Sequence, residues 1–249
     1  MTHKILEVSG LNKSFGGLHA VRNFDFELFE GNKSAIIGPN GAGKTTLFNL
    51  LTGYHRADSG KILFDGRDIT NRPSHEIAGA GISRAFQITN IFPKLNVFEN
   101  VRSAVQAQMG KSFDVFGRAD KIGTEETENI LNLCGLYERS TVSAGELSQG
   151  DKKKLELALA LSGKPKLLLL DEPTAGMSLE ETRETMELVD RLNEEFRLTV
   201  LFTEHDMAVV FNHARKVTLL HNGEIVVEGT PEQVRMNETV QRIYLGEHT

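Results

Sequence analysis

Apolar positions recur with different periods along the chain, and the changes of period divide it into three stretches. In the first, alternation dominates. Phe24, Phe26 and Leu28 are separated by acidic residues within Val21–Phe29, and a shorter apolar run occupies Ile5–Val8, so both segments read as strands. Lys33–Ile37 reads as a further strand, followed by a glycine-rich turn and a helix over Thr45–Leu51. Lys61–Phe64 is a short strand ended by the turn dipeptide Asp65-Gly66. Between about Pro73 and Leu147 the spacing becomes helical but broken, with its best helices at Asn96–Met109 and Glu125–Leu133 and a loop-like segment at Gly110–Gly123. The last hundred residues alternate again: helix Gln149–Leu161, strand Lys166–Leu170, helix Leu179–Phe196, strand Leu198–Phe202 and helix Asp206–Asn212. Val217–His221 and Glu224–Glu228 then flank Asn222-Gly223, a strong hairpin signal. Ser178 with Glu181, and Ser148 with Asp151, have the spacing of capping boxes at two helix starts.

Strands alternating with helices imply an α/β fold with a mostly parallel sheet, preceded by an N-terminal antiparallel β-subdomain. The expected organisation is one domain over 1–249, in which 1–72 and 163–249 form the core and about 73–162 an inserted helical subdomain. A length of 249 residues is ample for such a core. The charge balance narrows the partners: 28 Lys and Arg against 34 Asp and Glu give a net charge of −6, which disfavours nucleic acid. The single cysteine, Cys134, excludes an intrachain disulfide and reads as a small core residue. The greasiest segment, Leu155–Leu170, is interrupted by Glu156, Lys164, Pro165 and Lys166, so it falls short of the roughly 20 apolar residues of a membrane span. The N-terminal residues lack a signal-peptide pattern, and a cytoplasmic protein is expected.

The strongest chemical signal follows the third strand. Gly38-Pro39-Asn40-Gly41-Ala42-Gly43-Lys44-Thr45 matches G-x-x-x-x-G-K-[ST] at every fixed position, between a strand and a helix. Glycines let successive amides turn inward around an anion, and the helix N-terminus adds partial positive charge. Lys44 supplies a full charge, while the Thr45 hydroxyl can ligate Mg²⁺ and Thr46 follows it.

A complementary acid should end a buried strand, and Leu167-Leu168-Leu169-Leu170-Asp171-Glu172 supplies it. Asp171 would then lie at the carboxyl end of the sheet, where open α/β folds bind ligands, with a role at Mg²⁺. Glu172 beside it can act as a general base toward water.

Two further motifs, Leu147-Ser148-Gln149-Gly150-Asp151 and Thr203-Glu204-His205-Asp206, give the chain a resemblance to the ATP-binding subunits of ABC transporters, and Phe15–Leu18, Ser83–Val101 and the C-terminal Pro-Glu-Gln-Val…Tyr-Leu-Gly-Glu make it most similar to those of branched-chain amino acid importers. The resemblance runs from Leu6 to Gly246. It implies a P-loop ATPase that uses ATP and Mg²⁺, with Phe15 stacking on adenine, Gln87 sensing Mg²⁺ and the attacking water, and His205 contacting the γ-phosphate. Ser148 and Gly150 match the signature that closes over the nucleotide of an opposite subunit. A serine N-cap with exposed amides is independently suited to an anion. The adjacent Lys152–Lys154 reads as a solvated charge run. Two departures stand out: the signature has Gln149 and Asp151 in its third and fifth places, and Ser178 replaces an aspartate common after the acidic pair.

The resemblance further implies a second ATPase subunit, identical or not, membrane permease subunits, and indirectly a substrate-binding protein, so the chain would sit on the cytoplasmic face of the membrane. Apolar residues within Phe86–Val101 are candidates for permease docking. Urea or short-amide importers and lipopolysaccharide exporters carry similar subunits. Soluble relatives that act on ribosomes or DNA carry paired cassettes or coiled-coil arms, which this sequence lacks. No Asn-Lys-x-Asp motif supports a GTPase.

Overall fold

The computed structural model describes residues 3–85, 91–109 and 122–245. Two sheets organise it. The first is antiparallel, in the order β2 (Leu18–Phe29), β1 (Lys4–Phe15), β4 (Ser59–Phe64) and β5 (Arg67–Asp68). In β2 the buried side chains include Val21, Phe24, Phe26 and Leu28, so the alternation in the sequence becomes one wet and one dry face.

The second sheet has six strands in the order β10 (Glu224–Gly229), β9 (Lys216–His221), β3 (Lys33–Ile37), β8 (Thr199–Thr203), β7 (Leu167–Asp171) and β6 (Ile82–Ala85). Its pairings are parallel except the β9–β10 hairpin. Every residue of β3, β7 and β8 is buried, which explains their unbroken apolar runs. Successive leucines of β7 serve opposite cores. Leu167 and Leu169 join Phe48 and the antiparallel sheet, while Leu168 and Leu170 join the helical side.

The helices are α1 (Lys44–Leu51), α2 (Ser74–Ala80), α3 (Val97–Gln108), α4 (Thr124–Leu133), α5 (Gln149–Ser162), α6 (Leu179–Phe196), α7 (Met207–His213), α8 (Pro231–Arg235) and α9 (Glu238–Leu245). The expected α/β class, antiparallel N-terminal sheet and mostly parallel core sheet are all present. Cys134 is buried in the helical core, as expected.

Several elements differ from the sequence pattern. β6 lies within the stretch that reads as helical, yet it pairs with β7 as a strand of the core sheet. Four residues with Arg84 among them carry too little periodicity to declare a strand. α2 buries only Ile77, so it too lacks an apolar stripe. The loop read at Gly110–Gly123 falls largely outside the described residues. Among the described residues no helix is long and apolar enough to cross a membrane.

Candidate active site

The loop between β3 and α1 is shaped by close backbone approach. A Cβ at Gly38 would stand 2.1 Å from the Leu220 carbonyl of β9, and one at Gly43 2.2 Å from the Ala20 carbonyl of β2. Both glycines, at φ 153° and 107°, are therefore required by packing as well as by conformation. Between them the Ala42 amide donates to the Pro39 carbonyl, and the Ala42 carbonyl accepts from Gly223. Lys44 is buried, and its Nζ donates to the carbonyls of Gly38 and Pro39, the latter at 3.1 Å. The loop thus curls around its own ammonium group. Asn40, Gly41 and Thr45 face solvent, with Thr46 half-buried behind them.

Parallel register brings the acidic residues alongside. Ile36 near the end of β3 lies opposite Thr203, and Thr203 lies opposite Asp171. Asp171 is buried with both oxygens engaged: Oδ1 accepts from Thr203 Oγ1 at 2.7 Å and Oδ2 from Arg84 Nη2 at 2.6 Å. Arg84 also donates to Asn49 Oδ1 at 2.6 Å and lies over the Phe48 ring. Burial lowers the guanidinium's pKa, and the Asp171 charge opposes that shift. Arg84, Asn49 and Thr203 join the site through contacts that no local motif marks. The available signal was an arginine inside an otherwise small and apolar strand.

Glu172 has a positive φ of 52°, uncommon for a side-chain-bearing residue, and its amide donates to both the carbonyl and the hydroxyl of Thr203. That turn points its carboxylate outward, where Oε1 lies 2.8 Å from His205 Nε2. The pair is held from beneath by Glu204, another residue unassigned from the sequence. Its buried carboxylate accepts from the Thr174 amide at 2.9 Å, the Thr174 hydroxyl at 2.6 Å and the His205 amide at 3.0 Å. Three donors satisfy a carboxylate that burial would otherwise make costly.

Phe15 is 44% exposed at the end of β1, with His55 edge-on to its ring. An exposed ring is available for stacking and is not a core residue. Gln87 lies outside the described residues.

Ser148 caps α5 and accepts from the Asp151 amide at 3.1 Å. The reciprocal half of the expected capping box is replaced, because the Asp151 carboxylate pairs with Arg139 at 2.8 Å. Gly150 donates its amide to Glu181 of α6. The Lys152–Lys154 run is not the solvated face expected of it. Lys153 is buried, and Lys154 pairs with Glu184 of α6 at 2.7 Å.

Comparison with known proteins places this geometry. Residues 21–175 match the ABC transporter family, and residues 224–249 match the family described as branched-chain amino acid ATP-binding cassette transporter. The chain is 38% identical to the high-affinity branched-chain amino acid transport ATP-binding protein BraF of Pseudomonas aeruginosa, over 99% of this chain and 100% of that protein. It is 36% identical to a probable branched-chain amino acid transport ATP-binding protein, LivG, of Archaeoglobus fulgidus, over 98% and 96% of the two chains. A crystal structure of the ADP conformation of an ATP-binding cassette of an ABC transporter superposes with a TM-score of 0.88 at 30% identity, covering 98% of this chain and 100% of that one. With a lysine-centred phosphate loop, a buried aspartate and a carboxylate–imidazole pair at the carboxyl ends of its parallel strands, the chain belongs to the ABC transporter family as one of its ATP-hydrolysing ATP-binding cassettes.

Proposed function

We propose that this chain is the ATPase subunit of an importer for branched-chain or related hydrophobic amino acids. The convergence of Lys44, Asp171 and the Glu172–His205 pair at the ends of β3, β7 and β8 carries the catalytic part of the reading. The amino acid class rests on the named functions of the relatives and on the match over residues 224–249.

In this reading ATP lies with its phosphates against the amides of Gly38–Lys44, the Lys44 ammonium and the start of α1, and its adenine on Phe15. The donor set suits Mg²⁺: a solvent-facing Thr45 hydroxyl and an Asp171 carboxylate oriented by Arg84 and Thr203, to which the resemblance adds the amide oxygen of Gln87. Bound there with the nucleotide, the ion would neutralise charge on the β- and γ-phosphate oxygens. Glu172 accepts a proton from the attacking water, and His205, hydrogen-bonded to it, orients the carboxylate and meets the γ-phosphate. Attack forms the new P–O bond as the bond to ADP breaks, releasing ADP and inorganic phosphate. Because phosphoryl transfer is chiefly positioning and charge neutralisation, fixed amides and one ammonium account for most of the machinery.

Ser148 and Gly150 serve the nucleotide of a second cassette, so two chains close head to tail over two ATP molecules and part after hydrolysis. Permease subunits carry the amino acid, which reaches them from a substrate-binding protein, and the cassettes act on the cytoplasmic face. The helical region of about 73–162 meets the permease. Phe92 and Leu95 are exposed there, whereas Val97 and Val101 belong to the core. Glu172→Gln tests the chemistry: turnover should fall by roughly 100-fold or more while ATP binding persists. Hydrolysis at the parent rate would remove Glu172 as the base.

A further inference from the structure

The start of α5 already holds an anion, and it comes from the same chain. Ser148 Oγ accepts the Asp151 amide, and the Gly150 amide donates to Glu181 Oε1 at 3.2 Å. The contact is close enough that any side chain at position 150 would push the Glu181 carboxylate aside. A Cβ at position 150 would stand 2.7 Å from that oxygen and 3.1 Å from the carboxyl carbon. The other oxygen, Oε2, accepts from the Ser178 amide at 3.0 Å and the Ser178 hydroxyl at 2.9 Å, forming the capping box of α6. Those two Ser178 donors, then the Gly150 amide and the Lys154 charge, hold Glu181 below the usual glutamate pKa, so it is anionic at neutral pH. Lys154–Glu184 ties the same two helices together one turn further along.

We propose that Glu181 is a gate on closure, a resident carboxylate that holds the Gly150 amide until a γ-phosphate displaces it and that passes the displacement to Ser178. The proposal rests on the reading that Ser148–Gly150 meets the nucleotide of a second cassette. A γ-phosphate on the same N–H would bring two anions to hydrogen-bond range of each other, and that repulsion expels Oε1 from Gly150. Both oxygens belong to one planar group, so Oε1 cannot leave without turning Oε2 against Ser178. The loop after Glu172, where this chain has serine in place of the common aspartate, is thereby coupled to occupancy of the signature through Glu181. Glu181 is a positioning residue in this scheme and touches no reacting atom.

Glu181→Gln separates the two duties of the side chain. Glutamine serves a capping box as well as glutamate does. It has one acceptor oxygen, however, and an amide group that cannot accept from Gly150. The variant should therefore keep its melting temperature and free the Gly150 amide. In full-length chain carrying Glu172→Gln, we expect the ATP concentration for half-maximal dimerisation, read by analytical ultracentrifugation, to fall about three- to tenfold when Glu181→Gln is added. The difference should shrink in high salt, since the repulsion removed is electrostatic. Glu181→Ala, which loses the cap as well, should melt lower and still show the reduced ATP requirement. An unchanged or higher ATP requirement in both Glu181 variants overturns the gate. Ser148→Arg distinguishes the underlying reading: it should abolish ATP-driven dimers, and if they persist, the signature assignment itself fails. A chain that stays monomeric with ATP in every variant overturns both.

Discussion

Lys44 illustrates how a single residue serves structure and chemistry together. Its ammonium is buried among the carbonyls of Gly38 and Pro39, so the loop is organised around a positive charge of its own. Replacing it with alanine removes the partner of those two carbonyls and, under the proposed function, the ammonium that meets the phosphates. Lys44→Ala is expected to weaken ATP binding about 10- to 100-fold by calorimetry, the range for losing a charge-assisted hydrogen bond. Unchanged affinity would place the triphosphate elsewhere. Cys134 shows the opposite case, a potentially reactive group made inert by its surroundings. It is 2% exposed, and burial pushes its thiol pKa up to about 12. Thiol reagents at pH 8 should leave it unmodified in the native protein and label it once denaturant opens the core. Rapid labelling of the native chain would contradict that packing.

At the scale of elements, α6 has well-defined energetics at its two ends. Its start is fixed by the Ser178–Glu181 capping box, which the sequence displays plainly. Ser178→Ala should cost about 1 kcal/mol in chemical denaturation. Its end is less comfortable, since Arg197 adopts φ 53° at the C-cap, a conformation that favours glycine. Arg197→Gly should recover about 0.5–1 kcal/mol, and a loss of stability would mean that the arginine side chain contributes more than its backbone costs. α5 teaches a complementary lesson. Its serine N-cap was readable, but Asp151 turned to Arg139 and Lys154 to Glu184, because partners distant in sequence offered a full opposite charge. α8 begins with its own capping box, Thr230 to Gln233 with proline at the first turn, a signal present in the sequence but attached to too short an apolar pattern to stand out.

Across the whole molecule, the elements are fastened at the end of the core sheet opposite Asp171 by an ionic cluster. Lys33 at the start of β3 and His213 at the end of α7 both bind Asp190 of α6. Desolvation would raise the Asp190 pKa, but the hydrogen bonds and charges of His213 and Lys33 outweigh it and leave the carboxyl below its ordinary value. A carboxyl with a depressed folded-state pKa contributes stability above its unfolded pKa near 4, and that contribution disappears as the pH falls further. Asp190→Asn should therefore melt lower at pH 7 and lose less melting temperature than the parent between about pH 4 and 2. Parallel acid profiles would assign the acid sensitivity to other groups. The chain's sequence by itself determined the strand–helix order, the phosphate loop, and the acid that ends the four-leucine strand, because each is written in neighbouring residues through period, turn chemistry or unbroken burial. Only tertiary structure decided that Arg84 and Thr203 grip Asp171, that Glu204 supports the Glu172–His205 pair, and that Glu181 reaches Gly150. These contacts join residues 30 to 90 positions apart, and such pairings are selected by the stacking of strands and helices, which no local pattern encodes.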